Sequence, residues 1–424
     1  MDTSISIRSS MIAAGAALTL CAAAAAAPPT LFPPNRLVAT SYFTNEVACF
    51  HIDGTLDTKL GTGGFLSGPE SLVFGPNGNL YVSCGLSNAV VAVDYANSQN
   101  GNFDGGGTLV SPNGVTFGPQ GELVVASRGN DRVVFIDRND NATLTLGASS
   151  GLDSPRHLAF SPEGVLFVAS LGTNSVHRYS SGGGELPSMA SGSLSGPIGI
   201  TFSPLGRLLI ASSANDGFVE IPKLGFEVWH ENANLESPYG IAVGPDLRVY
   251  LASDQTSSVL CLENDDSFDR EIGFFDNMSG LGGIAFSPFY FAVELKGKLY
   301  DSAGANSNLG GKGMLGYSPG SGRMTLWFED DANDDSDFAS RFGQAVVLHG
   351  QEGGTGKTRT FCGAEIPGQS KSYRLTTANL KMTGSIGEEG FFVVKSVTGS
   401  ISCSGLGNDS SVYRATLKTK KRLN

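Results

Sequence analysis

The sequence predicts an all-β protein, and three features of the chain lead to that prediction. One segment recurs six times, for instance as SPRHLAFSPEGVLFVAS from Ser154. The copies follow one another at steps of 43, 43, 42, 41 and 43 residues, a period typical of a β-propeller blade of four short strands. Runs of Val, Ile, Leu and Phe alternate with Gly- and Pro-rich turns, and no long helical period interrupts them. We therefore expect a propeller of six or seven blades, followed by a small C-terminal β unit.

The first residues have the features of a secretion signal. Arg8 is the one positive charge in Met1–Ala27, and the apolar run from Met11 ends in an alanine tract suited to signal-peptidase cleavage. No later apolar run is long enough to span a bilayer. We expect residues 1–27 to be a signal peptide, the mature protein to be secreted or periplasmic, and no integral membrane segment to remain.

Each copy divides into strands by its turn residues. In SLVFGPNGNLYVS, Ser71–Phe74 and Asn79–Ser83 alternate as strands around Gly75–Gly78. Proline sets φ at the first turn position, and glycine supplies the positive φ that follows. A polar turn then leads to a third strand, Val90–Asp94 in this copy, and a weaker fourth strand precedes the next copy.

The number of blades depends on how the ring closes. Arg36–Asp53 resembles the second and third strands of a blade with no first strand before it. If Gly283–Ser287 supplies that strand, the ring has six blades. Alternatively, Gly297–Ser307 and Gly313–Gly322 form a degenerate seventh blade, and Phe342–Gly350 closes the ring. GKLYDSAGANS matches GVLFVASLGTNS of an earlier copy, so the prediction favours seven blades.

Charge separates the end of the chain from its body. The net charge is −12, yet the segment after Gly350 holds 11 Lys and Arg against 5 Asp and Glu. We predict a propeller over residues 36–350 and a small C-terminal β domain over residues 353–424. An acidic body disfavours nucleic acid as a partner.

The five cysteines beyond the predicted signal fall into two groups. Cys362 and Cys403 both lie in the last quarter of the chain, which makes them the natural disulfide pair in an oxidising compartment. Cys49, Cys84 and Cys261 stand in apolar, strand-like contexts, so we expect buried free thiols.

The repeats resemble NHL-type propellers and the related gluconolactonase/regucalcin and streptogramin-lyase families. GPESLVFGPNGNLYVS, SPNGVTFGPQGELVVAS and SPYGIAVGPDLRVYLAS carry this resemblance, which extends over Arg36–Ser287. It implies the propeller fold strongly. It implies an activity only weakly, because the shared residues belong to strands and turns.

The resemblance also implies that the residue after each repeat's first proline, or after Leu281 in the sixth copy, faces the mouth of a central channel. That ring is Glu70, Asn113, Arg156, Ile198, Tyr239 and Gly282. Gluconolactonase-like enzymes bind a divalent cation there through Glu, Asn and Asp; Glu70 and Asn113 match, but no Asp does. Streptogramin-lyase-like proteins use a channel His and Glu, and His157 lies one position past the ring. The candidate catalytic residues are Glu70, Arg156 and His157, and Asn113 and Tyr239 are candidate ligand-binding residues.

An acidic segment outside the repeats predicts a second site. Asp331, Asn333, Asp335 and Asp337 occupy alternate positions, and their oxygens can converge on one calcium ion. The segment is not an EF-hand, because Ser336 stands where that loop needs glycine. The expected cofactor is Ca²⁺ or another divalent cation, unless the segment is simply a solvated acidic loop.

Two functions remain open from the sequence. The first is an exported binding propeller that presents a face to a protein, glycan or small molecule. The second is an enzyme, a metal-dependent lactonase-type hydrolase or a lyase with its site in the channel. Because the channel ring lacks a full set of metal ligands, we favour binding over catalysis; fold alone does not decide between them.

Overall fold

The structure is a computed structural model, and it describes most of the chain after residue 29. The described residues are 30–423 except 119–120, 148–150, 181, 190–191, 205, 223–226, 264–267, 274–277, 301–305, 319–322, 329–344, 354–357, 365–372, 387–391 and 406–411. The predicted signal peptide, residues 1–27, and the acidic calcium segment, with Asp331, Asn333, Asp335 and Asp337, lie outside them.

Six four-stranded antiparallel sheets, the blades, are formed by the strands between Leu37 and Phe286. Blade 1 contains β1 (Leu37–Ser41), β2 (Glu46–Phe50) and β3 (Leu56–Leu60). Blade 2 contains β4 (Pro69–Phe74), β5 (Leu80–Cys84), β6 (Ala89–Val93) and β7 (Gln99–Phe103). Blade 3 contains β8 (Pro112–Phe117), β9 (Leu123–Ser127), β10 (Arg132–Ile136) and β11 (Ala142–Leu146).

The next three blades repeat this order. Blade 4 contains β12 (Pro155–Phe160), β13 (Leu166–Ser170), β14 (Ser175–Tyr179) and β15 (Glu185–Met189). Blade 5 contains β16 (Pro197–Phe202), β17 (Leu208–Ser212), β18 (Gly217–Ile221) and β19 (Val228–Glu231). Blade 6 contains β20 (Pro238–Val243), β21 (Val249–Ser253), β22 (Ser258–Leu262) and β23 (Phe268–Ile272).

The ring closes through β24 (Leu281–Phe286), which pairs antiparallel with β1 and becomes the inner strand of blade 1. Leu37 stands opposite Phe286 in this pairing. The described propeller therefore has six blades, and the preference for seven was wrong. The segment expected to begin a seventh blade, from Gly297, instead continues a long strand of a different sheet. Its resemblance to the repeats was limited to one hairpin, which is too short to predict a whole blade.

The chain then forms a closed antiparallel sheet of eight strands. Its strands are β25 (Phe289–Tyr300), β26 (Asn306–Ser318), β27 (Arg323–Phe328), β28 (Ala345–Gly353), β29 (Thr358–Ala364), β30 (Tyr373–Ile386), β31 (Phe392–Gly405) and β32 (Val412–Arg422). The last pairs with the first. The change from blades to closed sheet thus falls between Phe286 and Phe289. The predicted division into 36–350 and 353–424 lies about sixty residues later, inside β28.

The cysteines confirm one expectation and correct another. Cys49, Cys84 and Cys261 are buried free thiols, as predicted. Cys362 and Cys403 lie on β29 and β31, which both flank β30. Strands two places apart are separated by roughly 9–10 Å, beyond the roughly 7 Å between Cα atoms that a disulfide spans. The predicted Cys362–Cys403 bond does not fit this topology.

The apolar core lies between neighbouring blades, where strands from two sheets interleave. Val90 of blade 2, for example, packs with Val125 and Val134 of blade 3. Near the axis the inner strands come closer than side chains permit: a Cβ on Gly114 would lie 2.4 Å from the carbonyl oxygen of Arg156. Glycine at this position lets six inner strands share one narrow channel.

A repeated hydrogen bond joins five of the six blade junctions. The turn between the second and third strands of a blade holds Asn or Asp with φ between 49° and 57°, the left-handed region that these residues tolerate. Each side-chain oxygen accepts the N–H that begins the next blade, at 2.7–2.8 Å. We call these bonds the junction clasps; their acceptors are Asn45, Asn88, Asp131, Asn174 and Asp216.

Helical structure in the described residues is limited to two 3₁₀ turns, Arg128–Asn130 and Ser213–Asn215. Neither they nor any other described segment forms a helix with the length and apolar character to cross a membrane.

The closed sheet covers one end of the central channel. Phe289, Tyr290, Phe291 and Tyr317 of β25 and β26 have no exposed surface. The Tyr290 hydroxyl donates a hydrogen bond of 3.0 Å to the carbonyl oxygen of Gly75, in the turn that ends the inner strand of blade 2. The inner strands begin at the opposite end of the channel.

Candidate functional site

The inner strands bring the ring positions together at the start of the channel. β4, β8, β12, β16, β20 and β24 contact one another in sequence around the axis. All run in the same direction, so the residue after the first position of each strand lies at the same end. We call this end the channel mouth.

A hydrogen-bonded triangle occupies the mouth. The Asn113 side-chain amide donates to Glu70 Oε2 at 3.0 Å and to the Tyr239 hydroxyl at 2.6 Å. The Tyr239 hydroxyl donates to Glu70 Oε2 at 2.6 Å. Glu70 and Asn113 are buried, although they come from different blades 43 residues apart. Three of the predicted site residues therefore meet directly.

Two arginines add positive charge around this triangle. Arg156 donates to the Tyr239 hydroxyl at 3.3 Å. Arg128 places a guanidinium nitrogen 3.9 Å from Glu70 Oε1, and its side chain keeps 31% of its exposure. With Glu70 as the one carboxylate among them, the residues of this cluster sum to a formal charge of +1, on a protein of net charge −12.

Some buried polar atoms of the cluster have no hydrogen-bond partner among the described residues. They are Asn113 Oδ1, Arg156 Nε and His157 Nε2. His157 lies beside the triangle, with its ring edge-on to Tyr239 at 5.6 Å between centroids. A buried polar atom without a partner is destabilising, and such atoms in a cleft mark places where a ligand can bind.

Burial fixes the protonation states of the aromatic pair. Burial, together with the nearby Glu70 carboxylate, raises the pKa of Tyr239, so its hydroxyl stays protonated and donates to Glu70. Burial, with the Arg156 charge beside it, lowers the pKa of His157 from 6.5 to about 3. At neutral pH the imidazole is uncharged.

The other two ring positions carry no polar side chain. Ile198 is buried. Gly282 permits close packing, since a Cβ there would lie 2.2 Å from the carbonyl oxygen of Glu70. Four of the six predicted ring members, Glu70, Asn113, Arg156 and Tyr239, form the cluster.

The donor set does not fit the divalent cation that the family resemblance implies. The Asn113 amide nitrogen, not its oxygen, faces Glu70, and Tyr239 uses its proton to bond the same carboxylate oxygen. Arg128 and Arg156 would repel a cation. Among the described residues no group of three His, Cys, Asp or Glu side chains converges in metal-binding geometry. We derive no metal-dependent step from this mouth.

Arg128 was missed by sequence reasoning. It follows the serine that ends the second strand of blade 3, at the start of a 3₁₀ turn. The corresponding residues of the other copies are Tyr42, Gly85, Leu171, Ser213 and Asp254. This second variable position would have indicated Arg128, because it is the one cation in the set.

Exposed apolar side chains border the mouth. Phe43 is 71% exposed, Leu86 64% and Val110 40%; we call them the apolar rim. A Cβ on Gly280 would touch Phe43, and one on Gly68 would touch Leu86. Both glycines immediately precede inner strands. The Val110 N–H donates a hydrogen bond of 2.8 Å to the hydroxyl of Ser127, the residue before Arg128. The rim and the cluster thus share one face.

Comparisons with known proteins find this fold but no sequence family. No protein-family model matches the chain, and no curated protein matches it. The propeller of a nidogen/laminin complex is 15% identical, with a TM-score of 0.51 over 59% of this chain and 98% of that one. A streptogramin B lyase is 14% identical (TM-score 0.48; 62% and 92%). Virginiamycin B lyase from Staphylococcus aureus is 16% identical (0.47; 61% and 90%). The predicted β-propeller fold is confirmed.

Proposed function

We propose that the protein is an exported binding propeller that docks a protein partner on the channel mouth, with a carboxylate of that partner in the cluster of Glu70, Asn113, Tyr239, Arg128 and Arg156. The observation that carries this proposal is the excess positive charge of a cluster whose buried Asn113 Oδ1 and Arg156 Nε have no described partner. Export rests on the predicted signal peptide.

Charge and hydrogen bonding favour a carboxylate. Glu70 neutralises one of the two guanidinium groups, so one positive charge is left for a ligand. A hydrogen bond between a guanidinium and a carboxylate contributes about 1.5–3 kcal/mol, and Arg128 is exposed enough to reach a bound partner. A hydrogen-bond donor next to the partner's carboxylate, such as a backbone N–H, would bond to Asn113 Oδ1.

The apolar rim favours a protein over a free small molecule. Phe43, Leu86 and Val110 present exposed apolar surface around a polar centre, and clustered apolar exposure beside a functional group is typical of a protein interface. A chain with this fold is part of a nidogen/laminin complex, so the fold occurs in a protein–protein complex. A glycan offers little apolar surface to the rim.

A peptide array tests the proposal. The probes are random ten-residue peptides that carry one Asp or Glu among apolar residues, together with partners in which Asn or Gln replaces the acid. We expect the acidic peptides to bind selectively. Arg128→Gln and Arg156→Gln should each weaken binding about tenfold or more, because each removes a charge-assisted hydrogen bond.

The matched control is Arg207→Gln. Arg207 is also an exposed arginine paired with a glutamate, Glu220, but it lies on blade 5, outside the mouth. Its replacement should leave peptide binding unchanged. Equal binding of acidic and amide peptides, or the same loss in all three variants, would rule out the mouth as a carboxylate site.

A further inference from the structure

A cavity of about 210 Å³ occupies the channel on the far side of the mouth. All six inner strands contribute to its wall, and Pro288, Tyr290, Gly316 and Ser318 cover its base. None of Glu70, Asn113, Arg156 and Tyr239 lines it. The cavity is therefore a second space, which goes beyond the proposed function.

The wall is uncharged. No Asp, Glu, Lys or Arg is among the described residues that line the cavity. Ala159, Ala242 and Ala285 give it an apolar surface, and Ser71 and Thr201 add hydroxyl groups. A charged ligand would lose its hydration here without a compensating partner, so this wall selects an uncharged molecule.

One wall residue has an unused polar atom. His157 lines the cavity and is 8% exposed, and its Nε2 has no hydrogen-bond partner among the described residues. Burial lowers the pKa of this imidazole to about 3, so a neutral ring faces the space at physiological pH. A neutral imidazole nitrogen pairs readily with a hydroxyl group.

The volume limits the size of the ligand. An apolar cavity of about 150 Å³ in another protein accommodates benzene. The channel cavity is larger than this, which leaves room for one six-membered ring with a small polar substituent. A longer chain would meet Tyr290 and Pro288 at the base.

We propose that this cavity binds an uncharged single-ring alcohol or phenol, with its hydroxyl group on the His157 imidazole and its ring among Ala159, Ala242 and Ala285. The site shares one wall with the mouth, because His157 packs edge-on against Tyr239. A ligand in the cavity would therefore contact the residue that supports the mouth triangle, without entering the mouth.

Phenol and benzene are the probes, titrated into the full mature protein by calorimetry. We expect saturable binding of one phenol per chain. His157→Leu, which keeps the bulk and removes the nitrogen, should weaken phenol binding about tenfold and leave benzene binding unchanged. Ala285→Leu should abolish binding of both by filling the space, and Ala159→Leu repeats that test if the first variant does not fold.

Arg128→Gln is the matched control and should bind phenol as the parent does, because Arg128 is absent from the cavity wall. This keeps the outcome independent of the mouth proposal. The inference is overturned if phenol gives no saturable heat, which would indicate a channel holding water alone. It is also overturned if neither filling variant reduces binding, or if His157→Leu binds phenol as tightly as the parent.

Discussion

His157 differs from its counterparts in the other repeats. Four of the six copies have glycine at this position, namely Gly114, Gly199, Gly240 and Gly283, and one has Ser71. In the blades with glycine at this position, the backbones of neighbouring inner strands come into close contact. In blade 4 the position carries the imidazole of His157. Arg156 and Tyr239 are its polar neighbours. Because the folded protein holds this ring uncharged, folding excludes a proton that the unfolded chain binds.

This exclusion predicts a pH dependence of stability. The unfolded histidine has a pKa near 6.5 and the folded one about 3. As pH falls from 7 to 5, the unfolded state gains a proton and the native state does not. The free energy of unfolding therefore decreases by about 2 kcal/mol. Urea unfolding at both pH values measures this decrease in the parent and in His157→Leu. We expect the decrease in unfolding free energy to be smaller in the variant by about 2 kcal/mol.

Identical pH dependence in the parent and His157→Leu would contradict the assignment of a neutral, buried imidazole to His157.

At the scale of elements, the junction clasps single out one weak junction. Ser257 takes the clasp position in blade 6, with φ of 55°. Its short side chain bonds the carbonyl oxygen of Asp254 in its own turn at 3.5 Å. The junction between blade 6 and the closing strand β24 therefore lacks the bond that the other five share. Asparagine suits both the left-handed backbone and the reach of the clasp.

Ser257→Asn should stabilise the protein by about 1 kcal/mol, the typical net contribution of one hydrogen bond. Asn88→Ser makes the reciprocal change in blade 2 and should destabilise by a similar amount, because it removes the 2.7 Å bond to Ser111. Urea unfolding measures both. A destabilised Ser257→Asn, or an unaffected Asn88→Ser, would show that the clasps do not contribute to stability.

The sequence predicted the strands of a hairpin well, because the turn residues and the alternating apolar residues that indicate a hairpin are close together in the chain. The hairpin of blade 2 appears where the sequence indicated, with β4 (Pro69–Phe74) and β5 (Leu80–Cys84) on either side of the predicted turn. The number of blades was not predictable, because ring closure pairs residues 251 positions apart in the chain. The local match of Gly297–Ser307 to an earlier copy led instead to the prediction of seven blades. At the mouth, the position after each proline identified Glu70 and Tyr239, but their hydrogen bond depends on the diameter of the closed ring.

At the scale of the whole molecule, two units meet at the base of the channel. The propeller closes within residues 30–287, since Ser287 bonds Arg36 and Pro33 beside β24. The closed sheet begins only at Phe289. Its contacts with the propeller include the bond from Tyr290 to Gly75.

A truncation tests whether the ring is independent of the closed sheet. A mature chain that ends at Pro288 retains β24 and should unfold cooperatively, with the circular dichroism of a β protein. A chain that ends at Ser279 loses β24 and leaves the inner edge of blade 1 unpaired, so it should unfold at lower denaturant concentration or aggregate. Equal stability of the two chains would contradict closure by β24.

The pairing of β1 with β24 also sets an order of events during synthesis. The first strands leave the ribosome about 250 residues ahead of their inner partner, so blade 1 waits, with one edge unpaired, until nearly the whole propeller has emerged. A chain interrupted before that point cannot form a complete ring and exposes an aggregation-prone edge.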